Sequence, residues 1–238
     1  VTIGSDGALY GTTTSGGASQ FGTVFKFAKG KLSRLRSFSL SGEVGGRPYG
    51  GVVLDTAGNL YGTNYVGGAK NKGTVFQLTP SGGLKEVAPF TGTNGAYPFA
   101  GVTLDGAGNV YGTTCNGGTR NKGTVFKWVP GGKLTVLHSF TGTDGDCPYG
   151  GVTFRNGVLY GTTYKGGKND NGTVFKIAAS GGPLNILYRF GGDRDGGNPR
   201  GDVILNAAGT TLYGTTQFGG RTDGKFYNLG TVYQLTLP

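Results

Sequence analysis

A single phrase recurs five times along this chain and limits what it can fold into more than any other feature. One copy reads "LYGTTYKGGKNDNGTVFKI" from Leu159 to Ile177. Tyr-Gly-Thr begins at Tyr10, Tyr61, Tyr111, Tyr160 and Tyr213, and Gly-Thr-Val-aromatic follows at Gly22, Gly73, Gly123, Gly172 and Gly230. Self-similarity at a fixed period of about 50 residues means one supersecondary unit repeated, each copy burying its apolar face against its neighbours. Between copies lies a lead-in to the next unit: "RPYGGVVL", "YPFAGVTL", "CPYGGVTF" and "NPRGDVIL".

Each unit reads as four short strands. Strand a is "GVVL"-like and turns through "DTAGN" or "DGAGN", whose Asp, Gly and Asn suit a tight hairpin. Strand b is "LYGTT", and a loop opening on Gly-Gly follows it. Strand c is "GTVFKL"-like, and a Gly- or Pro-rich turn leads to strand d, as in "KLTVLHSF". Apolar and polar residues alternate with period two, and no segment carries a helical period. Pro48, Pro98, Pro148 and Pro199 stand just before strand a, where a missing N–H does no harm. The 52 glycines among 238 residues have no Gly-X-Y period, which excludes collagen, and the abundant Tyr and Phe argue against disorder. Four antiparallel strands per unit is a propeller blade, so the expected fold is an all-β, five-bladed β-propeller in one domain. The units run approximately 1–47, 48–97, 98–147, 148–198 and 199–238. Identical neighbours need identical faces, so Tyr160, Thr162, Val174 and Phe175 are expected to be scaffold.

The pattern "LYGTT..GG....GTVF" resembles the GloVer-type tandem repeat of secreted, surface-anchored bacterial proteins, and the resemblance covers essentially the whole chain. It implies a secreted or cell-surface location and carries over no catalytic residue. The chain has no Met and shows no signal-peptide pattern, so Val1 is expected to begin a mature or trimmed piece. No apolar run is long enough for a membrane helix, and a monomer is expected. The chain opens in a strand a, "VTI", and closes after a strand c, "GTVYQLTLP". The fifth blade is therefore expected to lack its fourth strand, or to be completed by residues outside this sequence.

The d-to-a and b-to-c loops are expected to share one face. The b-to-c loops carry Lys70, Lys72, Arg120, Lys122, Lys165, Lys168, Arg221 and Lys225 against Asp170 and Asp223. With a formal net charge of +10, this rim is either a solvated fringe or an attractor for a polyanion. An acidic polysaccharide suits it better than nucleic acid, for which no recognition motif is present. Lys72, Arg120 and Lys122 are the basic ligand candidates. Tyr49, Phe99 and Tyr149 recur after each Pro and offer sugar-stacking faces, although packing against the next blade is the favoured reading.

Few residues carry chemistry. His138 is the one histidine, which excludes a histidine site repeated in every blade, and no Gly-x-Ser-x-Gly accompanies it. "GGDRDGGNP" places Asp193, Asp195 and Asn198 in part of an oxygen-ligand calcium loop, without the Glu that would complete it. "TGTDGDCP" holds a poorer version with Asp144 and Asp146. Cys115 falls in the column of Thr14, Tyr65, Tyr164 and Gln217, and Cys147 in that of Arg47, Tyr97 and Asn198. The same two columns in unit two hold Tyr65 and Tyr97, which could touch. The pairing points to a disulfide formed in an oxidising compartment, with two free thiols as the alternative. Asp55 and Asp105 are read as turn formers.

The repeat is broken in one place. "PYGG", "PFAG" and "PYGG" become "PRGD" in the fourth lead-in, so Arg200 replaces an aromatic and Asp202 a glycine. Asp195, Arg200 and Asp202, with Phe226 or Tyr227 as a stacking face, make a candidate single site between blades four and five; the bland account is a surface bridge from Arg200 to Asp202 or Asp195. Three functions follow. The first is a surface module binding carbohydrate, including acidic polysaccharide. The second is a polysaccharide-cleaving enzyme using Asp195 and Asp202, since paired carboxylates are what glycoside hydrolysis needs. The third is an adhesive repeat without a specific ligand.

Overall fold

The computed structural model describes residues 1–40, 44–192, 194–222, 225–226 and 229–237, with the side chains of 221, 222, 225 and 226 left aside. Every element among them is a strand. The first unit holds β1 (Thr2–Ile3), β2 (Leu9–Thr13), β3 (Thr23–Ala28) and β4 (Lys31–Ser37). The second holds β5 (Val53–Leu54), β6 (Leu60–Asn64), β7 (Thr74–Leu78) and β8 (Leu84–Pro89). The third holds β9 (Thr103–Leu104), β10 (Val110–Thr114), β11 (Thr124–Trp128) and β12 (Leu134–Ser139). The fourth holds β13 (Val152–Arg155), β14 (Val158–Thr163), β15 (Thr173–Ala178) and β16 (Asn185–Arg189). The fifth holds β17 (Ile204–Leu205), β18 (Thr211–Thr215), a small hairpin of β19 (Arg221–Thr222) and β20 (Lys225–Phe226), and β21 (Val232–Thr236). Units one to four are four-stranded antiparallel sheets in chain order. The fifth is the three-stranded sheet β17-β18-β21, with no fourth strand among the described residues, as the strand count along the sequence predicts.

The recurring phrase now has a physical reading, position by position. The Gly of Tyr-Gly-Thr lies opposite the aromatic residue of Gly-Thr-Val-aromatic: Gly62↔Phe76, Gly112↔Phe126, Gly161↔Phe175 and Gly214↔Tyr233. A Cβ at Gly112 would stand 2.7 Å from Phe126 Cζ, so glycine is there to leave room for the ring. The following Thr hydroxyl donates across the unit boundary to a carbonyl leading into the next strand a. These bonds are Thr12 to Gly50 (2.7 Å), Thr63 to Ala100 (2.6 Å), Thr113 to Gly150 (2.8 Å) and Thr162 to Gly201 (3.3 Å). The last residue of strand b pairs its hydroxyl with the first of strand c at 2.9 Å in Thr13–Thr23, Thr114–Thr124 and Thr163–Thr173, and in the fifth unit the residues just beyond the strands, Thr216 and Thr231, do the same. In each of the first four units the c–d ladder shifts register between the Val and the Phe, a bulge that bends strand d.

The core is not central. It is divided into four apolar clusters, one at each boundary between consecutive units. Each contains an edge-on aromatic pair between the Phe that follows strand d and the strand-c aromatic of the next unit. The pairs are Phe38–Phe76, Phe90–Phe126, Phe140–Phe175 and Phe190–Tyr233, with centroids 5.0–5.4 Å apart. Residues in or just before the first strand of each of the five units line one cavity of about 210 Å³, bounded by Val1, Gly51, Gly101, Gly151 and Asp202 among others.

The a-to-b turns are held by carboxylates, as their sequence predicts. Asp55 accepts from the Asn59 side chain and backbone and from Tyr61; Asp105 does the same with Asn109 and Tyr111. Burial raises both carboxyl pKa values, but these hydrogen bonds outweigh it and leave both below the ordinary range. Asp144 is likewise lowered. Burial opposes the shift, while the Thr141 backbone and hydroxyl and the His138 ring favour it. A carboxylate whose folded pKa is depressed adds stability that is fully present above its unfolded pKa, about 3.9, and is lost as pH falls through the folded value. Urea midpoints are therefore expected to be flat from pH 7 to 5 and to fall progressively below pH 4. The fall should be shallower in Asp105→Asn, which is already less stable at neutral pH.

Candidate functional site

Both loop sets lie on one face because they are stitched together. Single bridges join Gly46 to Val66, Ala96 to Asn116, Asp146 to Lys165 and Gly197 to Phe218, each tying a d-to-a loop to the segment just after the following strand b. The residue after each of these loop positions (Arg47, Tyr97, Cys147 and Asn198) has φ between 48° and 59°. Left-handed backbone is uncommon outside glycine, so four successive units hold a non-glycine residue there under tertiary constraint. The N–H of each of these residues also donates to a carbonyl at the end of the preceding b-to-c loop (Phe21, Lys72, Lys122 and Asn171), which ties the lead-in column to the b-to-c loop of the unit before as well as to the unit after.

In unit three those columns hold Cys115 and Cys147, and the two form a disulfide. In unit two the same columns hold Tyr65 and Tyr97, whose rings are 5.1 Å apart. The disulfide closes a loop with a sequence separation of 32 residues, for which chain entropy gives about 3–4 kcal/mol. Reduction, or Cys115→Ser with Cys147→Ser, is expected to lower Tm by roughly 7–15 °C in a scanning calorimeter. The Tyr65–Tyr97 side of the face should stay ordered.

The aromatics of this face make a continuous arc. Tyr97 meets Tyr65; Tyr65 meets Tyr49 (5.3 Å) and Phe99 (5.0 Å); Tyr49 meets Phe99 (5.2 Å); Phe99 meets Tyr149 (4.6 Å); and Tyr149 meets Tyr164 (4.7 Å). None of the six belongs to a core cluster, and all keep surface open to solvent, Tyr49 as much as 49%. Burial, and after it the neighbouring phenols, raises the Tyr65 pKa, so its hydroxyl stays a neutral donor through the physiological range. A cation sits at each end. Lys72 Nζ lies 5.1 Å from the Tyr97 ring and 3.4 Å from its hydroxyl. The Arg200 guanidinium lies 5.2 Å from both Tyr149 and Tyr164. These distances are within cation–π range.

The sequence-derived candidates divide between this arc and other roles. Arg200 takes its place in the column of Tyr49, Phe99 and Tyr149 and covers rings; it forms no bridge to Asp195 or Asp202. Asp202 lines the cavity shared by the five units, where its Oδ1 accepts from the Gly151 N–H at 2.6 Å. Asp195 shapes its own loop, accepting from Tyr188 Oη (2.8 Å) and Gly191 N (2.7 Å). The two carboxylates line separate cavities and do not form a pair. Lys122 is ion-paired with Asp146 at 2.5 Å, and Arg120 is exposed. His138 is bound to Asp144 at 2.8 Å and edges onto Phe140.

Of the calcium candidates, Asn198 donates its side-chain amide to the Tyr164 carbonyl. Asp193 lies outside the described residues. Among the described residues no group of three His, Cys, Asp or Glu converges as a metal site would need. Tyr227 and the Phe226 side chain, the stacking face expected in the fifth unit, also lie outside the described residues. Sequence reasoning named Tyr49, Phe99 and Tyr149 but missed Tyr164 as their neighbour. Its position in the Cys115 column, which holds Tyr65 in unit two, was the available signal.

The sequence profile of the Gloeobacter/Verrucomicrobia repeat matches residues 1–158 and 102–238, which together span the chain. The chain belongs to the Gloeobacter/Verrucomicrobia repeat family. Solved structures similar to this repeat protein include a nidogen/laminin complex (13% identity, TM-score 0.56), covering 96% of this chain and 73% of that one. They also include TolB from Acinetobacter baumannii (14%, 0.56; 90% and 46%) and a gluconolactonase from Xanthomonas campestris (15%, 0.57; 91% and 69%). The repeat protein thus spans about half of the TolB chain. These neighbours are propeller-like, and at such identities the likeness concerns the fold alone. Among curated proteins none matches the chain. Among the described residues no helix is long and apolar enough to cross a membrane.

Proposed function

We propose that this protein is an extracellular carbohydrate-binding module, built as five blades around one axis, and that the arc from Lys72 to Arg200 is its binding surface. The observation that carries this reading is the arc itself: six rings in unbroken contact, solvent-facing, and ended by a cation on each side. Aromatic faces stack on the apolar faces of sugar rings, and a half-buried phenol supplies directional hydrogen bonds. The end cations favour a glycan bearing carboxylates or sulfates. The axial cavity lined by all five units supports the five-blade arrangement. The disulfide and the family of bacterial repeats support a location outside the reducing cytoplasm. Binding is preferred to cleavage because Asp195 and Asp202 have separate structural partners.

A glycan array probed with the parent and with Arg200→Ala tests the reading. Acidic oligosaccharides should give the strongest signals, weakened in the variant and by added salt. Signals confined to neutral glycans and indifferent to Arg200, or no signal at all, would count against it.

A further inference from the structure

A second column of residues runs just behind the arc. Tyr49, Phe99, Tyr149 and Arg200 each stand two residues before Gly51, Gly101, Gly151 and Asp202. Two residues of extended chain span at most about 7 Å, so the cavity lined by this second column lies within that reach of the arc. Successive members of the column adjoin. A Cβ at Gly101 would stand 2.8 Å from the Gly51 carbonyl oxygen, and one at Gly151 3.3 Å from that of Gly101.

In the last pair of the column the contact is a hydrogen bond, from the Gly151 N–H to Asp202 Oδ1 at 2.6 Å. At the two earlier positions glycine stands where that carboxylate would be. The N–H groups of Gly51 and Gly101 have no protein acceptor among the described residues. Asp202 Oδ2 has no hydrogen-bond partner among them either, and no cation pairs with it. One cavity of about 210 Å³ therefore holds two unmatched backbone donors and an unmatched carboxylate oxygen, with Val52, Val102 and Val152 as its apolar wall. A guest that satisfies all three needs an acceptor oxygen, a neutral donor and an apolar end. A carboxylate supplies acceptors but meets the charge of Asp202, and an ammonium supplies donors but leaves the two N–H groups unmatched.

We propose that this cavity is a subsite for the acetamido group of an N-acetylated sugar. The acetamido oxygen accepts from the Gly101 or Gly51 N–H, its N–H donates to Asp202 Oδ2, and its methyl rests on the valines. The proposal rests on the glycan reading and narrows it, from acidic glycans at large to those that also carry N-acetylated amino sugars. Asp202, the residue that breaks the glycine column, is the specificity-determining side chain.

Two measurements test it. In the first, the amide resonances of Gly51 and Gly101 are followed in isotope-labelled protein during titration with the methyl glycosides of N-acetylglucosamine, glucosamine and glucose. None of the three carries an acidic group for the arc cations. Saturable shifts with the first glycoside alone are expected, and they should vanish in Asp202→Asn. Asn keeps an oxygen for the Gly151 N–H but presents a donor where the guest needs an acceptor, and retained Tm separates loss of the subsite from loss of the fold. Asp202→Gly, which restores the repeated residue, should lose the shifts as well. In the second, a tetrasaccharide of alternating glucuronic acid and N-acetylglucosamine is compared by calorimetry with its de-N-acetylated form. The expected preference for the acetylated form is about tenfold or more in the parent and about twofold or less in Asp202→Asn. Equal shifts with all three glycosides, no shift at Gly51 and Gly101, or a preference that survives in folded Asp202→Asn overturns the proposal. Tetrasaccharide binding that perturbs the arc rings but neither glycine amide overturns it and leaves the glycan reading in place. Shifts at the two amides with the first glycoside, without binding of either tetrasaccharide, uphold the subsite and place the failure in the acidic-glycan reading of the arc.

Discussion

Gly123→Ala should cost on the order of 3–5 kcal/mol, the sum of backbone strain and forced overpacking. Gly123 has φ +94°, a region that side chains rarely adopt. A Cβ there would land on the Thr114 carbonyl oxygen, 2.8 Å from Pro148 Cδ and 2.9 Å from the Cys115 carbonyl oxygen. Two of these atoms are backbone, and Pro148 is fixed where the next unit begins. The Gly123 carbonyl also accepts from the Phe140 N–H, so any shift of this residue loosens strand d and its Phe. Gly22, Gly73 and Gly172 occupy the same position with φ from 92° to 97°. Urea unfolding of Gly123→Ala beside Gly131→Ala separates the two costs. Gly131 is also at positive φ, but a Cβ there meets nothing within 4 Å. The second variant should lose only the backbone strain.

Phe126→Ala is the second large effect, about 3–5 kcal/mol, from a ring with no exposed surface at the boundary of units two and three. It packs edge-on against Phe90 and lies over Gly112, which has no side chain because the ring occupies that space. The pair should therefore be strongly non-additive. Gly112→Ala alone drives a methyl into the ring and destabilises. Placed together with Phe126→Leu, the same methyl meets a smaller neighbour, and the double variant should be more stable than the two single losses add up to. Additive losses in urea would mean that glycine is required at this position for some reason other than the ring.

These two effects also show why so much of the fold was readable along the chain. Each position of the repeated phrase answers to a neighbour at a fixed sequence offset or in the next copy. Gly112 answers to Phe126, Thr113 to Gly150 and Thr114 to Thr124, so periodicity alone exposes the constraint. The disulfide was legible for the same reason, since Cys115 and Cys147 stand in columns that hold touching tyrosines one unit earlier. The arc was harder to see. Tyr49, Phe99 and Tyr149 recur as core residues do, and they do touch one another from unit to unit, yet they pack on the loop face and not between sheets. Period two tells which side of a strand a residue faces, not whether it packs between sheets or on the loop face. For the same reason Asp195 and Asp202, close in sequence, separate, the first into a loop of its own and the second into the cavity shared by the five units. Arg200 looked like an anion contact or a surface ion pair in a column otherwise aromatic, and only the ring positions show that it covers Tyr149 and Tyr164.

The central claim is that the arc between Lys72 and Arg200 binds an acidic glycan. Its most direct measurement is a calorimetric titration of the best acidic oligosaccharide from the array into the parent, Tyr65→Ala and Arg200→Ala. Retained Tm serves as the check on folding. The account predicts a loss of about tenfold or more in affinity in each variant, with a shallower salt dependence only in Arg200→Ala. Unchanged affinity in both folded variants would contradict it.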